Sequence, residues 1–146
     1  MKKLLSLAVT ALFSLTLFAS DPVIVNEKTL QAFQESFKNA SGVVWYEHGN
    51  SYEVKCMYNG IDSRITYRKD GSVIRLMRYY GADQLPLLLR TKLQKQFSGK
   101  TIFGVTEFSQ EDNIDYYIVF EDATSWSHVK CSANGETMVY NEFSKS

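Results

Sequence analysis

The chain has 146 residues, with 16 basic and 16 acidic side chains and a formal net charge of zero. A nucleic-acid-binding protein concentrates positive charge on one face, so this balance argues against that class. It also gives no support to electrostatic membrane binding. The length fits a single domain that buries roughly two thirds of its surface.

Residues 1–20 have the pattern of a cleavable signal peptide. Lys2 and Lys3 form a short positive segment, residues 4–19 carry no charge, and small residues precede Asp21. This order of charge, apolar run and small residues is typical of exported proteins. A membrane anchor is the alternative, but four Ser and Thr residues dilute the run, and a spanning helix needs about 20 apolar residues.

Cleavage fits after either Ala19 or Ser20, and no cysteine stands there to carry a lipid. We therefore expect a periplasmic or secreted protein that has no membrane anchor after cleavage. The remaining residues, 21–146, contain 14 basic and 16 acidic side chains.

The mature chain begins with a predicted helix. Asn26 is suited to its N-cap, and the helix should end near residues 39–42. Four apolar residues fall on one helical face: Leu30, Phe33, Phe37 and Ala40. Four short strands are predicted after it, at residues 43–47, 52–58, 61–68 and 72–80. Asn59-Gly60 and Asp70-Gly71 are hairpin signals between these strands.

The same order follows a second time. The second copy opens at Asp83, and Pro86 fits the first turn of its predicted helix, where the missing N–H costs nothing. Its apolar face consists of Leu85, Leu89, Leu93 and Phe97. Strands are predicted at residues 101–108, 114–120, 125–132 and 136–143, and Asn134-Gly135 marks a hairpin between the last two.

These patterns predict an α+β fold in one domain, residues 21–146. It is built of two tandem repeats, at about residues 26–80 and 83–143, each a helix followed by a four-stranded meander. A sheet with one apolar face must bury it, and the two amphipathic helices are the available cover. We therefore expect an antiparallel sheet with both helices on one face and the other face open to solvent or a partner.

Several segments carry a family resemblance: Tyr52-Glu53-Val54, Asn59-Gly60, Ile65-Thr66-Tyr67 and Asp70-Gly71. They resemble the PepSY-like periplasmic proteins, a family related in fold to the β-lactamase inhibitor protein. The resemblance covers about residues 26–143. The chain departs from the family pattern at Lys38, where a proline is common, and at Tyr117-Ile118-Val119 in the second repeat.

The resemblance implies an exported α+β domain without a cofactor. PepSY-type domains have been proposed to restrain peptidases, and the β-lactamase inhibitor protein grips an enzyme with its open sheet face. A shared fold does not by itself fix a function.

The sequence contains no phosphate-binding glycine loop, no metal-spaced Cys or His pair and no G-x-S-x-G elbow. His48, His128, Cys56 and Cys131 lack the spacing of a zinc site. We therefore predict no cofactor, no metal and no enzymatic activity. Whether the two cysteines form a disulfide or remain buried thiols is left open, because the exported compartment permits either.

Alternation along two strands predicts a binding surface. Aromatic and arginine side chains are common anchors of protein interfaces, and nine Tyr, nine Phe and two Trp residues occur in the chain. The candidate binding residues are Arg64, Arg68, Trp126, His128 and Lys130. The alternative is an ordinary solvated sheet face.

The sequence thus favours a non-enzymatic envelope protein that binds or modulates another envelope or secreted protein, in the manner of an inhibitor. A second interpretation is a periplasmic protein that binds or senses a small molecule or peptide in a pocket between helix and sheet.

Overall fold

The computed structural model describes residues 23–145, so the predicted signal peptide lies outside the described residues. The described chain forms two helices and eight strands around a short 3-10 turn at Ala82–Gln84. In chain order the elements are α1 (Glu27–Ser36), β1 (Ser41–His48), β2 (Ser51–Tyr58), β3 (Ile61–Arg68), β4 (Val73–Tyr80), α2 (Leu87–Gln96), β5 (Thr101–Gln110), β6 (Asn113–Glu121), β7 (Ser125–Ser132) and β8 (Thr137–Ser144). Neither helix has the length and apolar character that crossing a membrane requires.

All eight strands form one antiparallel sheet, in which each strand pairs with its neighbour in the chain from β1 to β8. The α+β class is therefore confirmed. Local turns set this order. Asn59 and Gly60 join β2 to β3 with positive φ angles of 50° and 77°, as a two-residue hairpin with the twist of the sheet requires. The turn fixes the register in which Val54 pairs with Ile65.

A side-chain cap fixes the start of α1. The Asn26 side chain accepts a hydrogen bond from the Thr29 N–H at 2.9 Å and donates one to the Lys69 carbonyl at 2.7 Å. The helix ends at Ser36, earlier than predicted, because Phe37 has left the helical conformation. Phe33 of α1 packs with four buried strand residues: Val54, Cys56, Ile65 and Tyr67.

The second helix begins one residue later than its proline. Pro86 is the N-cap of α2 and not part of its first turn, and the 3-10 turn precedes it. Leu93 of α2 is fully buried. Together with Leu85 and Leu89 it packs on a second buried cluster: Val105, Tyr116, Ile118, Phe120, Val129 and Cys131.

The prediction of both helices together on one face needs correction. Each helix lies over its own half of the sheet and its own cluster, and β4 borders both, with Leu76 in the first and Tyr80 in the second. A ten-residue helix is about 15 Å long, and strands are spaced about 4.8 Å apart. One such helix therefore covers only part of an eight-stranded sheet, and each helix packs on one of the two clusters. The tandem repeat itself stays a prediction.

A buried polar group lies on β4 and β5, beside these clusters. Glu107, which is 5% exposed, accepts hydrogen bonds from Arg78 Nε at 3.0 Å and from the Tyr80 hydroxyl at 2.5 Å. Burial, aided by the bond to Glu107, raises the pKa of Tyr80. The group satisfies a carboxylate that would otherwise be costly to bury.

Both cysteines are free thiols. Cys56 belongs to the cluster under α1 and Cys131 to the cluster under α2. The disulfide that the sequence left open is therefore not formed, because the two residues lie in different cores. Burial raises the pKa of both thiols.

Candidate functional site

Three of the predicted binding residues lie together on β7. Trp126, His128 and Lys130 alternate with Ser127, Val129 and Cys131, which are buried. Side chains alternate between the two faces of a strand, so the three predicted residues point away from α2.

Aromatic side chains from three other strands surround them. The Trp126 ring lies 4.9 Å from the Phe103 ring of β5. The His128 ring lies 5.8 Å from Tyr140 and 5.1 Å from Phe143, both on β8, and Tyr140 lies 6.2 Å from Tyr117 of β6. We call this set the aromatic cluster: Phe103, Tyr117, Trp126, His128, Tyr140 and Phe143.

Two lysines lie against the rings of the aromatic cluster. Lys145 Nζ is 4.3 Å from the Trp126 ring centre, and Lys130 Nζ is 5.7 Å from that of Tyr117. Each lysine also holds a carboxylate: Lys145 pairs with Glu121 at 3.0 Å and Lys130 with Asp115 at 2.9 Å. The hydrogen bond to Asp115 raises the pKa of Lys130. The charges at the rim are thus paired, while the rings remain available.

Much of the aromatic cluster is exposed to solvent. The exposed fractions are 64% for Phe103, 49% for Tyr140 and 46% for Phe143, and Met138 beside them is 57% exposed. Contiguous exposed apolar surface on a small protein marks an interaction site more often than single exposed residues do. Since β8 is the last strand of the sheet, this surface reaches the sheet edge.

The other two predicted residues lie elsewhere. Arg64 and Arg68 are on β3, and three strands separate β3 from β7. Arg68 is exposed and donates to Ser72 Oγ at 3.4 Å. Arg64 is half-buried and stands opposite Lys55 of β2. The structure therefore brings Trp126, His128 and Lys130 together and leaves the arginines outside the aromatic cluster.

Sequence reasoning missed four members of the aromatic cluster. Three of them lie on predicted strands: Tyr117, Tyr140 and Phe143. Alternation along β6 is enough to place Tyr117 on the same side of the sheet as the aromatic cluster. The register of β8 shifts between its pairs with His128 and Val129, so simple alternation does not place Tyr140 and Phe143 together. Phe103 lies within a similar shift between Ile102 and Gly104, which no sequence pattern reveals.

A serine and a lysine lie close together on the side of β7 opposite the aromatic cluster. Lys100 Nζ lies 2.7 Å from Ser127 Oγ, a spacing that a nucleophile and its base would have. Ser127 is 1% exposed, however, and Lys100 pairs with Asp122 at 3.0 Å. The lysine is thus held by a carboxylate, and the buried hydroxyl cannot reach a substrate.

Among residues 23–145 no group of three or more His, Cys, Asp and Glu side chains is placed to hold a metal ion. An open depression of about 340 Å³ beside the aromatic cluster is lined in part by Asp115, Lys130 and Met138. Another, of about 140 Å³, lies between Leu88 of α2 and Gly135. Small-molecule sites enclose their ligand and span about 300–1,000 Å³; the first depression is in this size range but open to solvent, and the second is smaller.

Several solved structures with a similar fold come from Bacteroides species. A BLIP-like protein of Bacteroides fragilis is 13% identical with a TM-score of 0.63, over 85% of this chain and 89% of that one. A predicted periplasmic protein of Bacteroides eggerthii is 16% identical with a TM-score of 0.61, over 84% and 90%. A DUF2874 family protein of Bacteroides ovatus is 12% identical with a TM-score of 0.62, over 84% and 89%.

No protein-family model matches this chain, and no curated protein matches it in sequence. At identities of this size the likeness to the solved structures shows the fold alone. The chain therefore has a BLIP-like fold, while membership of the PepSY-like family stays a prediction.

Proposed function

We propose that this protein is an exported envelope protein that binds another envelope or secreted protein through the aromatic cluster on β5–β8. The exposed, contiguous rings of the cluster carry the proposal. Interface cores are enriched in aromatic residues and methionine and depleted in free charge; the cluster is aromatic, exposed Met138 lies beside it, and its two lysines are paired with carboxylates.

The fold supports the same proposal. The chain resembles solved proteins with a BLIP-like fold, and the β-lactamase inhibitor protein grips an enzyme with an open sheet face. One neighbour is a predicted periplasmic protein, which agrees with the export that residues 1–20 predict. An inhibitor or modulator of an exported enzyme is the form of the proposal that these likenesses favour.

Trp126 is the expected anchor. Its ring is fixed by Phe103 on one side and by the Lys145 side chain on the other. A ring that is held in place before binding loses little conformational freedom on binding. Tyr140 and Phe143 then extend the contact toward the edge of the sheet.

The test is capture from envelope extract with the immobilised mature chain, read by mass spectrometry. The wild type and Leu88→Ala, which changes an 85% exposed leucine of α2, should retain one protein in stoichiometric amount. The double variant Trp126→Ala, Tyr140→Ala should lose it. Equal capture by the double variant, or no specific capture at any salt concentration, would contradict the proposal.

A further inference from the structure

Two positively charged residues stand opposite each other on adjacent strands under α1. Lys55 of β2 and Arg64 of β3 are direct register partners. Their chain neighbours Val54, Cys56 and Ile65 are buried, so both cations point to the side away from α1. Like charges directly opposite each other destabilise a sheet, which makes the pairing unusual unless something compensates it.

Within residues 23–145, neither cation is held in an ion pair. Neither Lys55 nor Arg64 takes part in an ion pair among the described side chains. Glu53, the nearest acidic residue along β2, lies 3.8 Å from Arg75 instead. Asp62 on β3 forms no ion pair with Arg64, and Arg64 Nε is buried without a hydrogen-bond partner in the described structure.

Two tyrosines hold the cations in place. Lys55 Nζ lies 4.7 Å from the Tyr46 ring centre, and the Arg64 guanidinium lies 5.7 Å from that of Tyr79. An aromatic face attracts a cation but carries no net charge. The rings therefore orient the pair and leave its two positive charges unneutralised.

We infer that Lys55 and Arg64 form a subsite for a carboxylate, supplied by an acidic side chain of the partner protein. The inference rests on the proposed function and adds a chemical requirement to it. The ammonium and the guanidinium lean toward opposite outer strands, β1 and β4, and both offer N–H donors to a carboxylate that binds between them. A bound carboxylate would offset the two like charges.

The surroundings favour a protein as the source of the carboxylate. The register row that contains the pair continues through Met77 of β4 to Phe108 of β5. Met57, next to Lys55 on the same side of β2, is 44% exposed. Charged residues next to apolar side chains are common in protein interfaces, whereas a nucleic acid or polyanion needs an extended basic stripe, which the acidic neighbours Glu53 and Asp62 interrupt.

The experiment is an NMR titration of the mature chain with acetyl-hexaglutamate amide. Acetyl-hexaglutamine amide, acetyl-trialanine with a free terminal carboxylate, and inorganic phosphate are added in parallel. We expect saturable shifts of the Lys55 and Arg64 amide signals with hexaglutamate and none with hexaglutamine. Arg64→Gln and Lys55→Gln should each raise the apparent Kd about tenfold, whereas Lys38→Gln, which removes one exposed charge on the chain after α1, should not.

Absent shifts at Lys55 and Arg64, or an unchanged Kd in both folded variants, would overturn the subsite. Tighter binding of phosphate or of the terminal carboxylate would overturn its assignment to an acidic side chain. Two separate glutamine variants are tested in case one of them misfolds. The dispersion of the NMR spectrum shows whether each variant is folded. The titration needs no partner protein, so its failure is distinct from a failure of the capture experiment, which tests the aromatic cluster.

Discussion

The Phe103 ring meets the Trp126 ring edge-on at 4.9 Å, although the two residues lie on strands that are not adjacent. Phe103 is able to reach across β6 because it lies in the register shift of β5, between Ile102 and Gly104. A bulge of this kind redirects a side chain. Here it closes one side of the aromatic cluster, and the bulge therefore belongs to the site as much as the rings do.

Replacing Leu93 by alanine should destabilise the fold through the core under α2. Leu93 is 0% exposed, and a buried Leu→Ala change costs about 2–5 kcal/mol from lost burial and a residual cavity. Leu88→Ala, five residues earlier in the same helix, should change the free energy of unfolding by less than about 0.5 kcal/mol. Urea unfolding followed by circular dichroism measures both, and equal effects would contradict the packing of α2.

Replacing Tyr80 by phenylalanine should cost about 1–3 kcal/mol near neutral pH, because buried Glu107 loses a hydrogen-bond donor. The folded-state pKa of Tyr80 is raised by burial and by Glu107. Its contribution is therefore complete below the unfolded pKa, near 10.0, and is lost as the pH rises above it. The stability difference between wild type and Tyr80→Phe should narrow above about pH 10 in urea unfolding; parallel profiles would argue against the Tyr80–Glu107 bond.

At acidic pH, protonation of Asp122 should account for part of the loss of stability. The Thr124 N–H, the Ser125 hydroxyl and Lys100 all hold its carboxylate and lower its pKa. A lowered pKa contributes stability above the unfolded value of 3.8, and this contribution is lost as the pH falls below it.

Asp122→Asn should therefore be less stable than wild type at neutral pH, and the difference should shrink below about pH 3.8. Asp112→Asn, in the exposed turn after β5, serves as the control and should change the neutral stability little. Thermal unfolding across the pH range measures all three proteins. A difference between Asp122→Asn and wild type that is independent of pH would exclude the carboxylate as the cause.

Both cysteines should resist thiol reagents in the native protein. Cys56 and Cys131 are 4% and 0% exposed, and burial raises their pKa, which lowers the thiolate fraction. Mass spectrometry after maleimide treatment should find no label on the folded chain and two labels after unfolding without reductant. An unfolded chain that takes no label would reveal a disulfide and contradict the separate cores.

Much of the fold follows from local patterns. Val54, Ile65 and Tyr67 are buried at alternating positions of strands that the sequence predicts, as a strand with one buried face requires. Glycine turns such as Asn59-Gly60 gave the strand ends to within a few residues. The early end of α1 and the position of Pro86 before α2 were missed, because capping geometry depends on single backbone angles.

The site was predictable only in part, and for a related reason. Trp126, His128 and Lys130 share one side of a regular strand, so spacing alone groups them. Phe103 and Tyr140 join them through register shifts and contacts between strands, which a single sequence does not encode in its spacing. Glu107 and its partners on β4 were missed because a pairing across strands requires the register to be known.

The most direct test of the binding surface is the affinity of the captured partner for wild type and Trp126→Ala, measured by calorimetry with Leu88→Ala as the control. Anchor residues of interfaces are worth about 2 kcal/mol or more, so the Kd for Trp126→Ala should rise at least about tenfold, while that for Leu88→Ala stays at the wild-type value. A Kd for Trp126→Ala within about twofold of wild type would contradict the assignment of the aromatic cluster as the binding surface.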